Sequence, residues 1–339
     1  MLKANFKLLI LQNPNMNWQI QVPIPEYSFD LSHSDKVFSA GSCFAQHMAD
    51  RLLHYKFSCT SNPYGTLFHP IPLLQNLTNA LKGSEIDEGL FLERDEASFH
   101  YSYHSSIWAD SKEELRKKLQ DLQYSVAKDL KESKLLILTF GTAFLYQLAT
   151  SEKAVANCHK QPKNTFVKGL SSPTEIQTVF QSFYIELKKQ NPEIQILLTV
   201  SPVRHIRDGV HKNNVSKSAL LLACETTQNT FEDVHYFPAY EIVLDELRDY
   251  RFFEKDRVHP NEEARDYVWE KFSKALLNPA SLLINKDLDK LFTSINHRAF
   301  REESEAHQQF LKKTLDLALQ LSEKVDLESE IKELKKRLQ

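Results

Sequence analysis

Short, almost wholly apolar runs recur along the chain, and most are followed by a longer segment whose apolar positions step by three or four. Val37 to Ala40, Leu135 to Phe140 and Ile194 to Val200 are of the first kind and predict strands buried on both faces. Lys56 to Cys59 and His235 to Phe237 add two shorter strands. The second kind predicts helices over Ala45 to His54, Ile71 to Leu81, Ser111 to Lys131, Thr174 to Lys189, Ser216 to Thr227, Tyr240 to Tyr250 and Glu262 to Leu277. Ser111 with Glu114 reads as a capping box at the start of its helix. Strands alternating with helices argue for a three-layer α/β/α core on a mainly parallel sheet, whose active rim is the set of loops after the strands. Before this core, Phe6 to Leu11 and Gln19 to Pro23 read as edge strands or a wrapping arm.

Beyond about residue 282 the pattern changes to lysine- and glutamate-rich amphipathic helices. Leu311, Leu315, Ala318, Leu321 and Val325 form an apolar stripe that suits a helical hairpin packed on the core or a homodimerisation arm. The division is therefore a catalytic-type domain over 1–282 and a helical extension over 283–339.

Composition narrows the functional classes. The chain has 339 residues, 42% apolar and 26% charged, with a formal net charge of -3, an ordinary globular balance that gives no broad nucleic-acid surface. The opening Met1 to Leu11 is too short for a signal-peptide core or a membrane span, so a cytoplasmic location is expected. Cys43, Cys59, Cys158 and Cys224 are scattered and read as free thiols. His100 and His104 lie in an alternating, extended-looking stretch without a nearby Glu, so no metal site is expected. No Gly-rich phosphate loop is present, and no cofactor is expected.

The chemistry concentrates on the rim. Gly41-Ser42-Cys43 sits where the first strand gives way to a helix, placing a hydroxyl, a thiol and unpaired N–H groups at one point. Ser42 can attack an acyl group there or simply cap the helix, and Cys43 is the alternative nucleophile or a packed core residue. Asp256 and His259, three apart before Pro260, can form a carboxylate-oriented base or a helix cap with an exposed histidine. Arg204 and His205 follow a buried strand and suit an anionic or sugar group, unless Arg204 pairs with Glu241 or Asp208. The stretch Ser98 to Trp108 mixes aromatic faces and polar edges, with His104 and Trp108 as its candidate carbohydrate contacts and a hairpin or lid as the plainer reading.

Taken together, Gly41-Ser42-Cys43-Phe44-Ala45, Asn62-Pro63-Tyr64-Gly65-Thr66, Thr139-Phe140-Gly141-Thr142-Ala143, Asn157-Cys158-His159-Lys160, Ser201-Pro202-Val203-Arg204-His205, Tyr236 to Glu241 and Asp256-Arg257-Val258-His259-Pro260 resemble the GSCFA-domain family. That family is similar to the SGNH/GDSL-type hydrolases, which implies a flavodoxin-like sandwich over about residues 5–275. The resemblance implies Ser42 as nucleophile, His259 as base, Asp256 as its orienter and the Gly65 N–H as an oxyanion donor. It departs at Gly141-Thr142-Ala143-Phe144, where such hydrolases carry an asparagine. Thr142, Asn157 or Asn62 is the expected substitute, with Asn157 slightly preferred to Asn62, and His159 is a weaker pocket candidate. The implied activity is an esterase or O-acyltransferase on an acylated glycan or small metabolite. The alternative is a non-catalytic binding member of the same fold.

Overall fold

The computed structural model describes residues 19–301 and 303–338. Five parallel strands form the central sheet: β1 (Lys36–Gly41), β2 (Ser58–Ser61), β5 (Leu135–Phe140), β9 (Gln195–Val200) and β10 (Val234–Tyr236). Their spatial order is β2-β1-β5-β9-β10, the 2-1-3-4-5 winding of flavodoxin-like folds. β5 is buried at every position because helices cover both faces. One face carries Phe38, Leu136, Leu138, Ile196 and Leu198 under α2 (Pro70–Lys82), α3 (Lys112–Glu132), α4 (Pro173–Gln190) and α5 (Val210–Gln228). The other carries Val37, Leu135, Ile137 and Leu197 under α1 (Cys43–His54) and α6 (Glu262–Leu276). The strands' period of two thus feeds two separate cores.

Local signals fix the helix starts. Ser172 and Glu175 form a reciprocal capping box on α4. At α3, Ser111 accepts the Glu114 N–H at 3.2 Å. α5 begins at Val210, six residues before the predicted start, because its first turns are polar yet packed. The helix predicted over Tyr240 to Tyr250 is broken into the turn Ala239–Glu241, a π-helical stretch Ile242–Glu246 and a 3₁₀ turn Tyr250–Phe252. In the π-helical stretch Ile242, Val243 and Glu246 are all buried, and Glu246 takes the Val22 N–H at 3.1 Å and Lys271 at 3.0 Å.

The segment Phe6 to Leu11 lies outside the described residues. Gln19 to Pro23 contains no strand; Val22, Ile24, Tyr27 and Phe29 instead wrap the second core. The aromatic stretch contributes the hairpin β3 (Phe91–Arg94) and β4 (Ala97–His100). A further antiparallel sheet, β6 (Phe144–Leu148), β7 (Ala154–Val155) and β8 (Phe166–Leu170), follows β5; its strands, five residues or fewer and separated by polar stretches, are not among the predicted elements. After α6 come α7 (Pro279–Asn296), α8 (Glu305–Leu321) and α9 (Glu328–Arg337). The stripe residues Leu311, Ala318, Leu321 and Val325 are buried among Leu288, Leu291 and Leu334 of this bundle. It meets the core where Tyr55 bonds Asp289 at 2.9 Å and Lys56 pairs with Glu330 at 2.6 Å. No helix among the described residues is long and apolar enough to cross a membrane.

Candidate active site

The winding reverses between β1 and β5, and the loops leaving their C-terminal ends form the crevice in which such sheets bind ligands. Gly41 ends β1 and Gly141 follows β5. Gly41 takes φ +135°, and its Cα passes so close to β5 that an added Cβ would lie 2.1 Å from the Thr139 carbonyl oxygen. Its N–H donates to Asn62 Oδ1 at 2.8 Å, and its carbonyl accepts from Leu67 N at 2.9 Å. The junction is therefore held on both sides.

Ser42 is wholly buried. Its hydroxyl accepts the Phe44 N–H at 3.2 Å, and its own N–H donates to the Thr139 carbonyl at 3.0 Å. Its side chain caps α1. Cys43, the first residue of α1, is partly exposed. Burial pushes its thiol pKa up, opposed by its own N–H, by the Lys217 charge and by the Phe44 N–H.

Asp256 and His259 are joined on the rim by a hydrogen bond of 2.7 Å between Oδ2 and Nδ1. The other carboxylate oxygen accepts the Val258 N–H at 2.8 Å and the His259 N–H at 3.1 Å. Arg257, at φ +61°, makes the tight turn that allows this. The His259 contact and then the two N–H bonds bring the Asp256 carboxyl down to about 2. An ionised carboxylate only accepts, so Nδ1 carries a proton, and in the neutral imidazole Nε2 is left as the acceptor. Both side chains are about half exposed. The loop is anchored by Glu254 N to the His259 carbonyl at 2.7 Å and by Arg204 N to the Val258 carbonyl at 3.2 Å.

A buried lysine and a half-buried histidine complete the surroundings. Lys217 of α5 is 1% exposed; its Nζ donates at 2.7 Å to the carbonyls of Gly141 and Ser201, which follow β5 and β9. Burial brings it down to about 7, with the Cys43 sulfur acting against that fall. His205 lies against the same strand end: an added Cβ on Gly141 would be 3.1 Å from its Nε2, and Phe68 packs edge-on to its ring at 5.1 Å. Burial, then the charges of Lys217 and His259, bring His205 down to about 4. Lys217 escapes a reading of apolar positions alone. Carrying the stripe of Cys224 and Leu220 back by three or four residues leads to Lys217 and Asn213, both buried.

The backbone donors around the junction are mostly taken. Gly65, at φ +71°, gives its N–H to the Asn62 carbonyl at 2.8 Å. Gly141 and Thr142 both donate to the Phe68 carbonyl, at 2.8 and 3.1 Å. The Thr142 hydroxyl accepts from Phe144 N at 3.1 Å and lies 3.1 Å from Ser216 Oγ. The Cys43 N–H donates to no oxygen among the described residues. Asn62 sits beside Gly41, its amide nitrogen only 3.5 Å from Gln46 Oε1. Asn157 uses its carbonyl on the His159 N–H at 2.8 Å.

A cleft of about 880 Å³ runs outward from Phe68 and Thr142, lined also by Tyr146, Asn157, Phe166 and Arg207. His159 lines it too, although its ring is anchored to the His100 carbonyl at 3.1 Å. Arg204 forms neither expected ion pair: its guanidinium lies 4.5 Å from the Phe253 ring centre and 5.3 Å from that of Tyr250. Asp208 pairs with Lys168, and Glu241 accepts from Tyr236. His104 packs on Gly65 and accepts the Ser106 N–H at 3.2 Å. Trp108 is exposed on the loop after the hairpin. Among the described residues no three His, Cys, Asp or Glu side chains gather as metal ligands.

No match is found among curated proteins. Among solved structures, an acetyl xylan esterase from the rumen bacterium Butyrivibrio proteoclasticus is similar at 13% identity, over 47% of this chain and 37% of that one, with a TM-score of 0.24. That match spans little more than a third of the esterase, and a likeness so low carries no argument about activity. The model of the GSCFA family matches residues 36–272, and that of the GSCFA domain protein, C-terminal domain, matches residues 288–339. The chain belongs to the GSCFA family.

Proposed function

We propose that the protein is an acyl-transfer enzyme that cleaves an ester at the β1–α1 junction, with His259 as the base and Asp256 as its orienter. The observation that carries this reading is the Asp256–His259 pair. Its carboxylate is fixed by two N–H groups, and its imidazole is held in the tautomer that presents Nε2 as proton acceptor. The attacking atom comes from the adjacent Ser42 and Cys43, at the N-terminus of a twelve-residue helix. That end of a helix favours developing negative charge. The cleft beside Phe68 and Thr142 is the proposed seat of the rest of the ester, an acylated glycan or small metabolite, with water or an alcohol as acceptor. The buried hydroxyl of Ser42 favours a second reading, a non-catalytic binding protein, wherever serine is the sole nucleophile considered.

The test is release of p-nitrophenol from p-nitrophenyl acetate by the purified chain. His259→Ala is expected to lower turnover by about 100-fold or more, with Asp256→Asn intermediate. Because both side chains are half exposed, the unfolding midpoint should move little. Release no faster than in buffer, or an undiminished rate in His259→Ala, refutes the reading.

A further inference from the structure

Two nucleophiles stand side by side at the junction, and they differ in exposure. The Ser42 hydroxyl is enclosed and occupied with the Phe44 N–H. Cys43 is partly exposed, and three further observations converge on it. First, its own N–H finds no oxygen acceptor among the described residues, and an attacking residue's N–H is well placed to receive the oxyanion formed at the atom it attacks. Second, the buried Lys217 ammonium, pinned to the Gly141 and Ser201 carbonyls, acts electrostatically on this sulfur. Third, the helix that opens three residues past His259 packs on α1: Arg51 of α1 pairs with Asp266 of α6, and His259 acts electrostatically on His47 and on His205. His47 lies four residues after Cys43, on the same face of α1. His205 lies against Gly141, the residue whose carbonyl Lys217 holds. The base and the sulfur are therefore carried by packed elements at the same end of the sheet.

We infer that Cys43, not Ser42, is the nucleophile, so that the acyl-enzyme is a thioester, Cys43–His259–Asp256 being the working set and Ser42 the cap that holds the helix end in place. The inference rests on the acyl-transfer reading above. In the first half-reaction the thiol gives its proton to His259 Nε2 as sulfur bonds to the acyl carbon. The oxyanion, held at the Cys43 N–H with the Asn62 amide within the same junction, collapses. The ester C–O bond breaks, and the leaving alcohol takes the proton from His259. In the second, water or an acceptor alcohol gives its proton to His259 and attacks the thioester. The C–S bond breaks and the thiolate recovers the proton. A thiol whose own acidity is suppressed by burial needs such a base, which sets this site apart from one that rests as a thiolate.

The experiment is acid-quenched turnover of p-nitrophenyl acetate followed by peptide mass mapping, with a parallel sample treated with neutral hydroxylamine. An acetyl group on Cys43 that neutral hydroxylamine removes is the expected result. Acetyl on Ser42 overturns the inference and leaves the acyl-transfer reading standing. No adduct, with release no faster than in buffer, brings down both. Where turnover occurs without an accumulating adduct, two reagents decide. Labelling of Ser42 by a fluorophosphonate, which marks activated serines and spares cysteines, overturns the inference. Absence of that label, together with loss of turnover in step with Cys43 alkylation by iodoacetamide and protection by substrate, supports it. Full turnover after complete alkylation of Cys43 overturns it as well.

Discussion

Replacing Gly41 by alanine should remove about 4 kcal/mol or more of folding free energy, a large share of what a domain ordinarily possesses. Two independent effects meet there. The backbone is at φ +135°, which residues with a Cβ rarely adopt, and the added methyl carbon would lie 2.1 Å from the Thr139 carbonyl oxygen. That oxygen also accepts the Ser42 N–H at 3.0 Å. Relief of the clash would pull β1 from β5 at the centre of the sheet and release the helix end that carries Ser42 and Cys43. Gly83, which ends α2 at φ +61° with nothing within 4 Å of an added Cβ, is the control. Alanine there should cost only about 1 kcal/mol. Thermal unfolding of both variants checks this. The Gly41 variant should melt roughly 10 °C or more below the wild type, at the few degrees per kcal/mol usual for a chain of this size. Equal shifts in the two variants would mean that the close approach of the strands contributes nothing.

The same crowding explains why the junction was legible in the sequence. A strand that must touch its neighbour and then turn at once into a helix leaves a mark: an apolar run, a glycine, a capping residue and an amphipathic period in immediate succession. The other apolar runs, Leu135 to Phe140 and Ile194 to Val200, were legible for a related reason, since strands covered on both faces admit few polar side chains. Asp256 and His259 were legible because their contact is local, with three residues bringing carboxylate and imidazole together.

What stayed hidden depends on longer-range geometry. The direction of the Ser42 hydroxyl follows from the first turn of α1 closing over it, which no residue spacing records. Lys217 reads as a solvated residue in Asn213-Asn214-Val215-Ser216-Lys217 until the inward face of α5 is known. The donor ability of Gly65 is spent within its own turn on Asn62, so a glycine in the expected place does not by itself supply a free N–H. The strands β6, β7 and β8 are two to five residues long and pair across intervening turns, too short for a period to stand out from the sequence.

Lys217 should make stability rise with pH, against the usual expectation for a protein near neutrality. Its ammonium is buried with carbonyl oxygens for partners and no carboxylate bonded to it among the described residues. Burial brings it from 10.5 to about 7. Between those values the unfolded chain holds a proton that the folded chain has lost, so the free energy of unfolding climbs with pH through this window. Below about 7 both states are protonated and the penalty is constant; above 10.5 both are neutral and it is gone. At about 1.4 kcal/mol per pH unit, the rise between pH 7 and pH 9 comes to about 2 kcal/mol. Lys217→Met removes the titrating group while keeping most of the side-chain volume, although it leaves the Gly141 and Ser201 carbonyls without their donor. Its absolute stability at one pH is therefore a poor readout, because lost hydrogen bonds oppose the relief of a buried charge. The difference in slope is not subject to that ambiguity. Urea unfolding of both proteins at pH 7, 8 and 9 should show the wild type gaining about 2 kcal/mol relative to the variant, and parallel curves would show that Lys217 keeps its ordinary acidity.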